Sequence, residues 1–232
     1  MNVWITGASK GIGKAIAEEL LRDGHKVAVS ARNRELLETI SIDTAHSESL
    51  LRVPLDVSSY EKVSDAANLI NEKLGSIDVL INNAGVTKFK PIIDTTIDEF
   101  NEIIDVNLKG VVHCIKAVLP FMQEQKNGWI VNIISVTVNK VFTNSGAYAS
   151  SKAGVLALSN VLREEVREQG IKVSSIVPGA THTEMWPEGI RKKYGERMMH
   201  PDDVAKTVSS ILRSPENLML EELTLRPQLG DL

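Results

Sequence analysis

The stretch SGAYASSKAGV, Ser145 to Val155, carries the residues best suited to chemistry. Tyr148 and Lys152 lie four apart in a helical pattern, so both project from one face. A phenol with a reference pKa of about 10 is a poor acid–base catalyst at neutral pH. A neighbouring ammonium favours the phenolate and lowers that value. A phenol so tuned can give a proton to a carbonyl oxygen as hydride reaches the carbon. Three further features point the same way. Ser135 closes the apolar run GWIVNIISV, and strand ends are where open α/β sheets place ligands. Asn107, in DVNLKG, sits inside a helical pattern where propensity disfavours asparagine. NNAG, Asn82 to Gly85, ends another apolar run with two amides and a glycine.

A second constellation opens the chain. WITGASKGIG, Trp4 to Gly13, is a short apolar run, a turn with Gly7, Gly11 and Gly13, and the start of a helical pattern. A strand, a glycine turn and a helix make a phosphate site, because the free N–H groups and the dipole of the helix start attract an anion. Glycine lets the backbone approach a pyrophosphate closely and permits positive φ. The spacing G-x-x-x-G-x-G differs from the dinucleotide fingerprint G-x-G-x-x-G and is not a P-loop. About 20 residues beyond such a turn, an acidic residue binds a ribose 2′-hydroxyl, whereas an arginine accommodates a 2′-phosphate. Here the second strand ends SARNR, with Arg32 in that place and Lys10 in the turn itself. The pattern predicts a preference for NADP(H) over NAD(H).

These groups need a scaffold, and strand and helix patterns alternate from end to end. Strands are expected at NVWITG, KVAVSAR, LLRVPLDV, IDVLINNAG, GWIVNIISV, KVSSIVPG and LEELTLRP. Helices are expected over Gly11–Arg22, Arg34–Ala45, Ser59–Lys73, Ile97–Lys126 with an interruption near Pro120, Ala147–Gln169 and Pro201–Arg213. Near-continuous Val, Ile and Leu in strands four to six indicate burial on both faces, hence a parallel sheet. The expected fold is α/β: one Rossmann-type domain over residues 1–232, a doubly wound parallel sheet of about seven strands with helices on both faces. Gly179–His200 reads as a loop with a short helix.

Composition narrows the function classes. At 232 residues, 43% hydrophobic and 24% charged, the chain suits one large core, and a net charge of -4 gives no reason to expect nucleic acid or an anionic membrane. No apolar run reaches membrane-spanning length. Five histidines without ligand spacing and a single cysteine argue against a metal site or a disulfide framework. Cys114 reads as a small core residue. With no basic leader before the glycine turn, the expected compartment is the cytoplasm.

Taken together the motifs resemble the short-chain dehydrogenase/reductase family, in its common single-domain branch. TGASKGIG from Thr6 resembles the family's cofactor turn, Asp56 with Val57 its adenine contact, and NNAG its strand-four motif. Asn107, Ser135, Tyr148 and Lys152 are similar to its catalytic tetrad, and PGATHT, Pro178 to Thr183, to the segment that holds the nicotinamide amide. The resemblance implies reversible hydride transfer between a nicotinamide and a carbonyl or alcohol: a ketone, an aldehyde or a 3-oxoacyl thioester. It implies Tyr148 as general acid in reduction. Lys152 lowers its pKa and binds the nicotinamide ribose, Ser135 holds the substrate oxygen, and Asn107 holds a water that relays protons to Lys152. Gly7, Ser9, Gly11, Ile12 and Gly13 line the pyrophosphate. Asn83 and Ala84 lie under the adenine-side ribose, and Pro178, Gly179, Thr181 and Thr183 lie near the nicotinamide.

The substrate pocket is then expected from Val86–Ile93, Val136–Phe142 and Gly179–His200, the last a lid that orders when cofactor binds. Phe89, Val136, Val141, Phe142, Met185 and Trp186 suit an apolar or mildly polar carbonyl, while Lys88, Lys90 and Lys140 leave a charged tail open. A homodimer or homotetramer is expected through the two long helices, on apolar positions Val111, Val112, Ile115, Val118, Val155, Leu158 and Leu162. The segment EELTLRPQLGDL departs from the glycine-rich ending of many members and puts their tetramer contacts in doubt. The competing class is a catalytically silent dinucleotide-binding regulator on the same fold.

Overall fold

A computed structural model describes residues 1–40 and 48–232. Seven parallel strands form one sheet: β1 (Asn2–Thr6), β2 (Lys26–Ala31), β3 (Leu50–Pro54), β4 (Val79–Asn82), β5 (Gly128–Ile133), β6 (Ile171–Pro178) and β7 (Glu222–Leu225). Their order is β3-β2-β1-β4-β5-β6-β7. The sheet therefore reverses direction of growth between β1 and β4, and the crevice beyond the carboxyl ends of those strands is the natural ligand site.

Alternate residues of each strand enter two different cores. Trp4, Leu80, Ile130 and Ile134 pack with α3 (Tyr60–Leu74), α5 (Gly110–Gln125) and α6 (Gly146–Val166). Val3, Ile5, Val79, Ile81, Val131 and Ile133 pack with α1 (Gly11–Arg22), α2 (Arg34–Glu38) and α8 (Pro201–Leu212). Strands covered on both faces must be apolar on both, which is why their sequences run as unbroken Val and Ile.

Two helix boundaries differ from expectation. The helix expected over Arg34–Ala45 ends at Glu38, and the positions beyond residue 40 lie outside the described residues. The long helix is interrupted at Asp105–Lys109, not near Pro120. A π-helical turn there separates α4 (Ile97–Ile104) from α5. Pro120 lies inside α5 on its exposed side, where freed carbonyls can turn to water. The break forms at Asn107 because its side chain is drawn into bonds outside the helix. Gly179–His200 contains α7 (Glu188–Tyr194), as the composition suggested.

Candidate active site

Tyr148 and Lys152 lie on the first turns of α6, only 7% and 4% exposed. Lys152 Nζ donates to the Ile133 carbonyl at 2.8 Å, at the end of β5, and lies 5.8 Å from the Tyr148 ring centroid. Ser135, two residues past β5, sets its hydroxyl beside the Tyr148 phenol, where it favours the phenolate. Burial pushes the Tyr148 phenol up to about 12, with the Ser135 hydroxyl pulling partly against it. Burial also lowers the Lys152 ammonium to about 8. The phenol therefore stands as a protonated donor, beside an amine poised near neutrality.

Asn107 is fully buried in the π-helical turn. Its Oδ1 accepts from the Val86 N–H at 2.8 Å, and its Nδ2 donates to the Val86 carbonyl at 2.9 Å and to Ser151 Oγ at 3.0 Å. Ser151 donates in turn to the Tyr148 carbonyl at 2.7 Å. Asn107 thus ties the loop leaving β4 to the helix that carries Tyr148. Both its amide hydrogens are spent on the protein, leaving one Oδ1 lone pair for a water.

The glycine turn is built from close approaches. Gly7 and Gly11 adopt φ of +66° and +57°, a region that favours glycine. At Gly13 a Cβ would lie 2.3 Å from Asn83 Nδ2 and 2.5 Å from the Gly7 carbonyl oxygen, so no larger residue fits. Asn83 closes the turn from below, donating to the carbonyls of Thr6 and Gly7 at 3.1 and 3.0 Å. Lys10 precedes α1 without a side-chain cap, so the first N–H groups of that helix remain for a ligand.

One cavity of about 870 Å³ joins these parts. It is lined by Gly7, Ser9, Lys10, Gly11, Ile12, Arg32, Asp56, Val57, Asn83, Ala84, Ser135, Tyr148, Lys152, Pro178, Gly179, Thr181 and Thr183. Gly13 and Asn107 stand behind its wall and shape it. Arg32 and Lys10 are exposed at one end. Burial works against ionisation of Asp56, but two hydrogen bonds from Ser58 and the Arg32 guanidinium outweigh it and hold the carboxyl below its usual value. Ser30 beside them is a packing residue, accepting from Trp4 Nε1 at 2.9 Å.

The opposite end differs in part from expectation. Phe89, Val136, Phe142, Met185 and Trp186 line it, and Trp186 stacks on Phe89 with centroids 5.4 Å apart. Val141 is 91% exposed and does not line the cavity. Lys88, Lys90 and Lys140 are each paired with a carboxylate, of Glu102, Glu99 and Asp231 respectively. Asp231 and Leu232 line this end and were missed in the sequence, where nothing in PQLGDL signals a pocket.

Residues 1–193 match the family described as short chain dehydrogenase. The chain belongs to that family. This short-chain dehydrogenase is 35% identical over 226 residues to an uncharacterized oxidoreductase of Staphylococcus aureus (strain MW2), covering 96% of this chain and 95% of that one. It also resembles a solved alcohol dehydrogenase from the archaeon Thermococcus sibiricus complexed with 5-hydroxy-NADP, at TM-score 0.89 and 31% identity, over 100% of this chain and 98% of that one. A closed form of serine dehydrogenase complexed with NADP+ superposes at TM-score 0.93 and 27% identity, over 100% and 97%. The chain is thus an oxidoreductase of Rossmann-like architecture. Among its described residues no helix is long and apolar enough to cross a membrane.

Proposed function

We propose that this short-chain dehydrogenase is an NADP(H)-dependent oxidoreductase that interconverts a small carbonyl and its alcohol. The observation that carries the reading is one cavity with a glycine turn, Arg32 and Lys10 at one end and the buried Ser135–Tyr148–Lys152 group at the other. The site fits a nicotinamide dinucleotide: the turn has no Cβ to fill it, and the uncapped start of α1 meets a pyrophosphate. Gly7, Ser9, Gly11 and Ile12 hold that pyrophosphate, Arg32 and Lys10 the 2′-phosphate, and Asp56 and Val57 the adenine. Thr181 and Thr183 face the nicotinamide.

When bound, the nicotinamide supplies or accepts the hydride. In reduction Tyr148 Oη gives its proton to the carbonyl oxygen, and the Ser135 hydroxyl donates to the same oxygen as charge develops on it. Lys152 in its ammonium form stabilises the phenolate left behind, and the proton returns from solvent. Phe89, Phe142 and Trp186 suit an apolar carbonyl and exclude water. The protein works in the cytoplasm as a homodimer or homotetramer. Val111, Ile115, Val118, Val155 and Leu162 are already buried within the protomer, so of the expected apolar positions Val112 and Leu158 are the ones left to a partner helix.

The test follows the absorbance of NADPH and NADH against a panel of ketones, aldehydes and 3-oxoacyl thioesters. NADPH oxidation with at least one apolar ketone or aldehyde is expected. Dinucleotide binding with no turnover across the whole panel would mean a silent binding protein instead.

A further inference from the structure

Beyond β7 the segment Arg226–Leu232 brings Asp231 and Leu232 to the lining of the cavity. It starts against the loop that leaves β6: Gly179 N–H donates to the Leu225 carbonyl at 2.7 Å, and a Cβ at Gly179 would lie 3.1 Å from Pro227 Cδ. It then reaches Asp231, whose side chain is only 3% exposed. Asp231 Oδ2 accepts from Lys140 Nζ and from an Arg226 guanidinium nitrogen, each at 3.0 Å. The Asp231 carbonyl accepts from Arg197 at 3.3 Å. Lys140 belongs to the loop that follows Ser135, and its ammonium lies 5.4 Å above the Phe142 ring. Arg197 ends the stretch that follows α7.

Asp231 therefore joins three pieces of backbone that surround the reacting centre: the loop after Ser135, the segment after α7 and the strand exit beside Gly179. Asp231 and Leu232 also line the cavity themselves. A carboxylate so buried depends on its two cationic partners, because losing them would leave its charge unpaired in the interior. We infer that Arg226–Leu232 is a wall of the substrate pocket, latched by Asp231, that limits how large a carbonyl compound can be accepted. Asp231 is a positioning residue here: it acts through the wall that it latches. The inference rests on the proposed carbonyl chemistry only for its kinetic readout.

Two measurements on the full chain test it. The first compares kcat/KM for a bulky aryl ketone with that for a four-carbon ketone. In Asp231→Ala the ratio should rise about tenfold, the scale on which a pocket discriminates by about a methylene of space. NADPH affinity should stay unchanged. Asp231→Asn keeps the shape and removes the charge, and should shift the ratio the same way if the alanine variant fails to fold. The second is hydrogen–deuterium exchange, which needs no turnover: amides of 136–142 and 226–232, the two pieces that the Asp231 side chain ties together, should exchange faster in either variant. An unchanged ratio in a variant that still turns over overturns the wall, and unchanged exchange overturns the latch. A wild type inactive with every carbonyl sinks the proposed activity, and exchange alone then decides the latch.

Discussion

Around Tyr148 and Lys152 the polar groups are buried and held by short bonds from three elements: the end of β5, the π-helical turn and α6. Around Phe89 and Trp186 the contacts are ring faces and surface ion pairs that tie the loop after β4 to α4. The first region cannot move without exposing unpaired polar atoms, whereas the second can shift at the loss of one stacked pair, about 0.5–1.5 kcal/mol, and of surface ion pairs worth about 0–1 kcal/mol each. The contrast assigns different work to the two ends. On the proposed function, chemistry belongs where positions are fixed, and selection of the substrate where they can adjust.

The sharpest way to break this contrast is at its rigid end. Tyr148→Phe should lower kcat by about 10²–10⁴, the range of general acid catalysis, while NADPH still binds, since the ring that packs is kept. Lys152→Ala should damage turnover and cofactor affinity together. Steady-state rates with fluorescence titration of NADPH check both. Wild-type turnover in Tyr148→Phe would remove the phenol from the chemistry.

Lys152 sharpens the comparison through stability. Its folded pKa of about 8 lies below the ordinary 10.5. Between those values the unfolded chain binds a proton that the folded chain does not, so this group makes stability rise with pH across that window. Below pH 8 the fold carries the full cost of the buried ammonium, about 3 kcal/mol by the size of the shift, partly offset by its bond to the Ile133 carbonyl. Lys152→Met removes that cost along with activity. Relative to wild type, its unfolding midpoint should be highest below pH 8 and should lose that advantage between pH 8 and 10.5. A difference that stays flat with pH means that Lys152 is not held as a costly ion.

These fixed positions were also the legible ones. Tyr148, Lys152, Ser135 and the glycine turn could be found because helical spacing, strand ends and close backbone approach leave periodic marks in a sequence. The strands were legible because burial on both faces leaves unbroken Val and Ile. The sequence marks Pro120 for the break that forms at Asn107. A proline announces a lost hydrogen bond locally, whereas the pull on Asn107 comes from Val86 and Ser151, distant in sequence. Asp231 was invisible for the same reason. Of its two cationic partners Arg226 is near in sequence, but Lys140, which brings the carboxylate to the cavity, lies far along the chain.

The end of the cavity at Arg32 and Lys10 shares the exposure of the loops around Phe89 but carries fixed charge. Arg32 and Lys10 stand where an acidic residue would favour NAD(H), and a guanidinium can meet a phosphate with two charge-assisted bonds. Each such bond is worth about 1.5–3 kcal/mol, so Arg32→Asp should weaken NADP(H) by about tenfold or more and turn the preference toward NAD(H). The change should appear in the KM for cofactor, with kcat at saturation little altered. Added salt should weaken NADP(H) more than NAD(H) in the wild type. An unchanged ratio of the two cofactors in Arg32→Asp would make Arg32 a partner of Asp56 and nothing more.

The smallest effect tests the adjustable end directly. The chain has three tryptophans. Trp4 and Trp129 are locked in the sheet, 0% and 7% exposed, with their indole N–H groups bonded to Ser30 and Ser174. Trp186 is the half-buried one, stacked on Phe89 at the mouth of the cavity and borne on the segment 179–200. If that segment closes when cofactor binds, Trp186 changes its surroundings and the other two do not. Titrating wild type with NADP+ should then change tryptophan emission, and Trp186→Phe should remove the change. Phenylalanine keeps a ring against Phe89, so NADP+ affinity should move by less than about threefold, within the worth of one stacked pair. Phe89→Ala removes the partner instead and should leave Trp186 emission in the cofactor-free protein shifted toward that of an exposed indole. An emission response that survives Trp186→Phe must come from the sheet tryptophans, and residues 179–200 would then be a fixed wall rather than a lid.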